Sequence, residues 1–106
     1  MNDACKQQID EAVNIGEDLL AKMHEDGVAH VIWMGFFYIG GLEKAVDYGF
    51  EAVKTACEGA KIHCEVADLR DLQIPRGWDG LHPDDAGYKM LAQRIWDVKL
   101  DNEIPM

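Results

Sequence analysis

Val28-Ala29-His30-Val31-Ile32-Trp33-Met34 is a nearly continuous apolar run in a chain of 106 residues. A run of this length and composition is typical of a strand that is buried on both faces, as in a parallel sheet. A second run, Lys61–Ala67, alternates apolar and polar side chains, which predicts a second strand near a sheet edge. Proline and glycine punctuate the segment from Asp68 to Gly80, which we expect to be a loop.

Amphipathic helices precede, separate and follow the two strands. We expect a first helix over residues 3–26, a second over about Leu42–Glu58 and a third that begins after Pro83. Apolar residues recur at steps of three and four along one side of each predicted helix: Cys5, Ile9, Val13, Gly16, Leu20 and Met23; Leu42, Ala45, Val46, Gly49, Phe50, Val53 and Cys57; Tyr88, Leu91, Ala92, Ile95 and Trp96. Asp84 is placed to cap the third helix, and the chain from Asp97 onward is expected to be a polar tail.

The predicted element order is α-β-α-β-α, in which helices form the crossovers between strands. This order indicates an α/β fold in three layers, αβα, with a two-stranded parallel sheet. One domain is expected to span residues 1–106, and Gly27 is placed to end the first helix in a left-handed conformation. Two strands make a very small sheet, so we expect association between chains to extend it.

Charge and composition exclude several classes of function. The net charge is −10, from 20 acidic and 10 basic residues, and such a surface repels nucleic-acid phosphates and anionic lipids. The longest apolar stretch, Val31–Gly41, is too short to span a bilayer. The sequence as written starts without a basic and apolar leader, so we expect a cytoplasmic protein, although a longer parent could be secreted. Nothing in the pattern calls for a cofactor.

The three cysteines are Cys5, Cys57 and Cys64, an odd number without the spacing of metal ligands. Cys57 and Cys64 lie among apolar neighbours, so we expect buried, inert thiols rather than a disulfide scaffold. A thiolate beside an imidazole is a good nucleophile. Cys57 is on a predicted helix stripe and Cys64 is inside a predicted strand, however, so neither is expected to serve as one.

The residues that carry chemistry lie where the second loop meets the third helix. Asp79, His82, Pro83, Asp84 and Gly87 form the pattern D-x-x-H-P-D-x-x-G. A general base needs a fixed tautomer, and a carboxylate bonded to one ring nitrogen of a histidine provides it. Asp and His three residues apart in a turn can meet without any long-range contact. A carboxylate–histidine bond that only stabilises the approach to the helix is the plainer alternative.

This block resembles the last conserved block of the SGNH, or GDSL-type, serine esterase and lipase family. The resemblance implies a flavodoxin-like αβα fold in which His82 is the general base and Asp79 orients it. The strands, the segment Asp68-Leu69-Arg70-Asp71 and the closing helix are similar to the C-terminal part of such an enzyme. The family's serine nucleophile and oxyanion donors have no counterpart, since the 106 residues contain no serine. We therefore expect a truncated unit, a fragment or relic of an acyl-ester hydrolase that is inactive alone.

Two other functions stay open at this point. The chain can be one half of a split esterase, in which another chain supplies the serine and the oxyanion donors. It can also be a non-enzymatic binding or assembly module that uses the loop Phe36–Tyr38. This loop and Trp33 could line an acyl pocket, but packing in a core or an interface is the expectation. Asp84 and Asp85 suit a helix start, so no metal is expected beside His82.

The expected partner is a second copy of the chain. We expect a homo-oligomer, in the simplest case a dimer, that forms through the edge of Val28–Met34 or through the first helix. A two-fold axis makes such a strand pairing antiparallel. An acyl ester is the ligand that the resemblance implies. His30 and His63 are expected to pack at the sheet edge, and His24 to interact favourably with a helix C-terminus.

Overall fold

The computed structural model describes residues 1–105 and has five regular elements. They are α1 (Asp3–Glu25), β1 (His30–Met34), α2 (Glu43–Gly59), β2 (His63–Ala67) and α3 (Asp85–Asp101). The order α-β-α-β-α and the two-stranded parallel sheet confirm the predicted α/β class and element order. Residue pairs run in register from His30 opposite His63 to Met34 opposite Ala67.

Helix α1 begins and ends on the residues that the sequence indicates. The Asn2 side chain accepts a hydrogen bond from the backbone N–H of Cys5 at 2.8 Å, which satisfies one donor of the first turn. Gly27 has φ of +88°, a left-handed conformation that reverses the chain toward β1. The predicted apolar stripe of α1 is the side that is withdrawn from solvent, with Val13 and Leu20 buried.

The sheet lies between two helical layers. On one face, Trp33 and Val66 pack with Val13 of α1 and with Val53 and Ala56 of α2. On the other face, α3 contributes Leu91 to a cluster that also contains Phe37, Leu69 and Ile74, three residues of the loops after the strands. Successive strand residues point to opposite faces, which is why Trp33 serves the first cluster and its neighbours face α3.

The expectation that β1 is buried on both faces is wrong. Its first four residues are half-buried and Met34 is 47% exposed. Within residues 1–105, β2 is the only strand beside β1, so the other edge of β1 carries no neighbour. The apolar run therefore predicts the strand correctly, but in a single chain the strand is only partly buried.

Helix α3 is longer and less buried than the sequence predicts. Asp84 caps it as expected, accepting from the N–H of Gly87 at 2.8 Å. The helix then continues to Asp101, so the expectation of a polar tail from Asp97 is wrong. Of its predicted apolar face, Leu91 is buried, whereas Tyr88 is 54% and Trp96 is 45% exposed. A sheet of two strands, each five residues long, is too small to cover the whole apolar face of a helix of 17 residues.

Cys57 and Cys64 form a disulfide, so the expectation of two inert thiols is wrong. Their Cα atoms are 5.1 Å apart because the short turn after α2 brings its last residues against the start of β2. Such a bond joins helix and sheet on the face that also holds α1. Cys5 remains a free thiol.

None of the helices within the described residues 1–105 is both long and apolar enough to cross a membrane.

Helix α1 approaches β1 closely at a glycine. A Cβ atom on Gly16 would overlap the indole ring of Trp33, which reaches from the strand to the helix. Because Trp33 is large and packed in the cluster with Val13, the ring cannot move aside without opening that cluster. The glycine thus sets how near α1 lies to the sheet.

We expect Gly16→Ala to destabilise the fold by about 1–3 kcal/mol through this overlap. The matched control is Gly59→Ala, at the end of α2, where a Cβ meets nothing within 4 Å. That control should be neutral or slightly stabilising, because alanine is the better helix former by up to about 1 kcal/mol. Urea unfolding followed by circular dichroism measures both. Equal midpoints for the two variants would contradict the close packing of α1 on Trp33.

Candidate functional site

Asp79 and His82 form a hydrogen-bonded pair on the loop between β2 and α3. The Oδ2 atom of Asp79 lies 2.5 Å from Nδ1 of His82. The His82 side chain is 71% exposed, whereas that of Asp79 is 28% exposed. The imidazole thus has one nitrogen held by the carboxylate and its other nitrogen, Nε2, free to meet a ligand from solvent.

The pair is built by local chain geometry. The second carboxylate oxygen of Asp79, Oδ1, accepts hydrogen bonds from the backbone N–H groups of Leu81 and His82, each at 3.0 Å. Gly80 adopts φ of +68°, a conformation that favours glycine, and lets the chain turn around the carboxylate. The spacing of three residues therefore brings the two side chains together as the sequence indicates.

The same hydrogen bonds fix the charge and the tautomer of the pair. The bond from His82, followed by the N–H groups of Leu81 and His82, lowers the pKa of the Asp79 carboxyl to about 2. An ionised carboxylate can only accept, so Nδ1 of His82 carries the hydrogen and Nε2 of the neutral ring has a free lone pair. This is the arrangement that a general base requires.

Neighbouring backbone bonds attach the loop to the start of α3. The N–H of Gly77 donates to the carbonyl of His82 at 2.8 Å, and the N–H of Asp84 donates to the carbonyl of Pro75 at 3.0 Å. A Cβ on Gly87 would overlap the Pro75 carbonyl and come within 2.8 Å of Pro83. The glycine of the sequence pattern is thus needed for packing of the helix against the loop.

Arg76 connects the loop that carries Asp79 and His82 to the loop that follows β1. The sequence analysis did not identify this residue. One of its guanidinium nitrogens donates to the carbonyl of Tyr38, and another donates to the carbonyl of Gly80 at 3.3 Å. Its guanidinium also lies over the ring of Phe37, 5.2 Å from the centroid. Tyr38 follows β1, so Arg76 places the Asp79–His82 pair near the carboxyl end of the sheet, where open α/β sheets bind ligands.

A network of ionised side chains stabilises the same end of the sheet. Arg70 donates to both oxygens of Asp68, at 3.0 and 2.9 Å, and to Asp47 of α2 at 3.0 Å. The Tyr38 hydroxyl also donates to Asp47, which lowers the pKa of that carboxyl and raises the pKa of the phenol. Arg70 thus pairs with two carboxylates at once and, through the Tyr38 hydroxyl that also binds Asp47, links the loops after both strands to α2.

The remaining sequence candidates lie elsewhere or are engaged. Cys57 and Cys64 are bonded to each other, and the free thiol of Cys5 is on α1, on the opposite face of the sheet from α3. His30 and His63 lie at the start of the strands, with their Nδ1 atoms 2.8 Å apart. His63 also contacts Glu65 through Nε2 at 2.9 Å.

No group of three or more histidine, cysteine or acidic side chains in the described part of the chain is placed to hold a metal ion. Asp84 caps α3, and Asp85 occupies its first turn beside it. Phe37 and Trp33 pack in the two core clusters, whereas Phe36 stacks on Phe37 and is 53% exposed.

No known family model, no curated protein and no solved structure matches this chain. Its function is therefore inferred from the geometry of the site itself.

The pair should be visible in a titration. We expect the side-chain carbon of Asp79, followed by nuclear magnetic resonance, to titrate with a midpoint near pH 2. His82→Ala should raise the midpoint toward the ordinary value of 3.8. The midpoint should stay below 3.8, because the backbone N–H groups of residues 81 and 82 still donate to the carboxylate. Because the folded-state pKa is depressed, the stabilisation by this pair is present above pH 4 and lost as the pH falls toward 2.

His24→Ala, an exposed histidine on α1, is the control for removing an imidazole and should leave the Asp79 midpoint unchanged. An Asp79 midpoint near 3.8 in the unchanged protein would show that the pair does not form.

Proposed function

We propose that this chain carries the proton-handling part of an SGNH-type acyl-ester hydrolase site, with Asp79 and His82 as an incomplete triad. The chain alone does not turn over esters. The observation that carries the proposal is the bond from the Asp79 carboxylate to Nδ1 of an exposed His82, which leaves Nε2 free. In a complete triad, Nε2 takes the proton from the attacking hydroxyl.

The surroundings of His82 suit a ligand with an apolar part. Leu81 is 43% and Tyr88 is 54% exposed, and Trp78 is almost fully exposed at 99%. These residues lie within six positions of His82 in the sequence, on the loop and on the first turn of α3. Exposed apolar groups near a polar centre support a ligand such as an acyl ester with a carbon chain.

What the chain lacks explains the expected inactivity. An acyl transfer needs an attacking group and donors that stabilise the oxyanion of the tetrahedral intermediate. The sequence has no serine, its one threonine lies on α2, and two of its three cysteines are bonded to each other. Triad members act as a unit, so a base without a nucleophile gives little acceleration.

The test is hydrolysis of p-nitrophenyl acetate by the purified chain. We expect a rate no greater per histidine than that of free imidazole, and no initial burst of p-nitrophenol. His82→Ala should lower the rate of hydrolysis by the contribution of one exposed imidazole, and His24→Ala should lower it by a similar amount. Saturable turnover that His82→Ala abolishes and His24→Ala leaves intact would overturn the proposal, because it would require a nucleophile within this chain.

A second candidate function is one half of a split esterase. The specific observation in its favour is the free edge of β1, which ends beside the loop that Arg76 ties to the Asp79–His82 loop. A parallel strand from another chain, added at this edge, would end at the same side of the sheet as His82. A nucleophile that follows such a strand could reach the free Nε2.

Mixing tests the split-enzyme version. The probe is a separately expressed partner chain with a Gly-Asp-Ser block, such as the product of an adjacent reading frame. We expect esterase activity in the mixture that neither chain has alone, and its loss with His82→Ala but not with His24→Ala. A stable complex of the two chains without activity would dispose of this version while leaving the first proposal standing.

A further inference from the structure

We propose that the free edge of β1, together with the outer side of α1, is an interface with a second copy of this chain. We call this the edge surface and define it by Ile15, Leu19, Val28 and the outer edge of β1. The two copies of β1 pair antiparallel across a two-fold axis and join the sheets into one of four strands. This inference goes beyond the proposed function, because it does not depend on Asp79 or His82.

The first argument is the backbone of β1. In a parallel pair, the N–H and C=O groups of alternate residues point to opposite sides, so about half of those in His30–Met34 point away from β2. No strand in the described chain meets them. Edge strands that stay unpaired are usually protected by lysine, proline or a bulge. The strand His30–Met34 contains neither lysine nor proline, and its unbroken register with β2 shows that it has no bulge.

The second argument is the outer side of α1. Asp10 marks the side of α1 that faces α2, since its carboxylate accepts from the Tyr48 hydroxyl at 2.8 Å. Leu19 follows nine residues later, which is half a turn around the helix from Asp10. Ile15 lies one turn before Leu19 on the same side, and the two are 70% and 56% exposed. Gly16, which contacts Trp33, lies between this side and α2.

Together the strand edge and the helix side form one apolar surface. Trp33 links α1 to β1, and α2 packs on the side of α1 that faces β2, so Ile15 and Leu19 lie on the side of the free edge. Val28, just before the strand, adds a side chain that is 41% exposed. A contiguous exposed apolar patch next to unpaired backbone is the usual signature of an interaction site.

The third argument is the amount of surface that the single chain leaves in water. Its accessible surface is 7089 Å², whereas a monomer of this mass is expected to expose about 5,900 Å². The radius of gyration is 14.7 Å, against about 13 Å for a folded chain of this length. The excess is about 1,200 Å², and a standard interface buries roughly 800 Å² per partner, so one dimer interface would remove about two thirds of it.

A second copy fits the edge surface better than an unrelated partner does. Val28–Met34 has no charged acid or base and one histidine, so two copies can meet without placing like charges opposite each other. A two-stranded sheet is marginal on its own, and a two-fold pairing gives four strands, the usual number in small domains. The net charge of −10 lies on the rest of the surface, so higher salt should strengthen the dimer.

The experiment measures mass in solution by light scattering and by sedimentation over a range of protein concentrations. We expect a dimer whose dissociation constant falls when salt is raised from 50 to about 300 mM, since screening weakens the repulsion. Leu19→Asp removes one leucine contact per protomer and should raise the dissociation constant roughly 100-fold. Leu19 is exposed in the single chain, so the monomer should keep its circular dichroism spectrum.

The matched control is Leu100→Asp. Leu100 is 55% exposed, close to the value for Leu19, and lies nine residues after the buried Leu91, on the side of α3 that faces away from the sheet. It should leave the dissociation constant unchanged, and His82→Ala should do the same. A chain that stays monomeric at all concentrations, or a dimer that Leu100→Asp disrupts and Leu19→Asp does not, would overturn the proposal.

Hydrogen exchange tests the strand pairing itself. Amides of His30–Met34 that point away from β2 should exchange slowly at concentrations where the dimer dominates, and rapidly in the Leu19→Asp monomer. A dimer in which these amides exchange at the same rate as in the monomer would refute the antiparallel pairing of β1.

Discussion

The structure depends on the fact that a parallel sheet must be covered on both faces, and this chain has only two strands to cover. The helices α1 and α2 take one face, where they pack on Trp33 and Val66, and α3 takes the other together with residues of the loops after the strands. The width of the sheet limits how much helix surface it can cover. A sheet two strands wide spans about 10 Å, the diameter of one helix, so α1 and α2, which lie side by side on one face, together extend beyond it.

Local geometry accounts for most of what the sequence predicted correctly. The α1 stripe, the Gly27 turn, the Asp84 cap and the meeting of Asp79 with His82 all depend on residues within a few positions of one another. Such features follow from steric and hydrogen-bonding rules that act along the chain, whatever the rest of the fold does. The Asp79–His82 motif can therefore be recognised without knowledge of any tertiary contact.

The errors arose where one element meets another. The length of the turn after α2 allowed Cys57 and Cys64 to bond, although each had the apolar neighbours of a buried thiol. Arg76 carries no recognisable motif, since its partners are backbone carbonyls and one of them, that of Tyr38, lies 38 residues earlier in the chain. The apolar run Val28–Met34 correctly predicted a strand but not its burial, because burial depends on a neighbour that the described chain does not supply.

The free edge of β1 is the site of both the proposed dimer and the proposed split-esterase complex. An antiparallel copy of β1 places the carboxyl end of one strand beside the amino end of its mate, so the two His82 loops lie at opposite ends of the joined sheet. A nucleophile beside His82 instead requires a neighbour that runs parallel to β1. One edge cannot hold both, so the proposed dimer and the proposed split-esterase complex exclude each other.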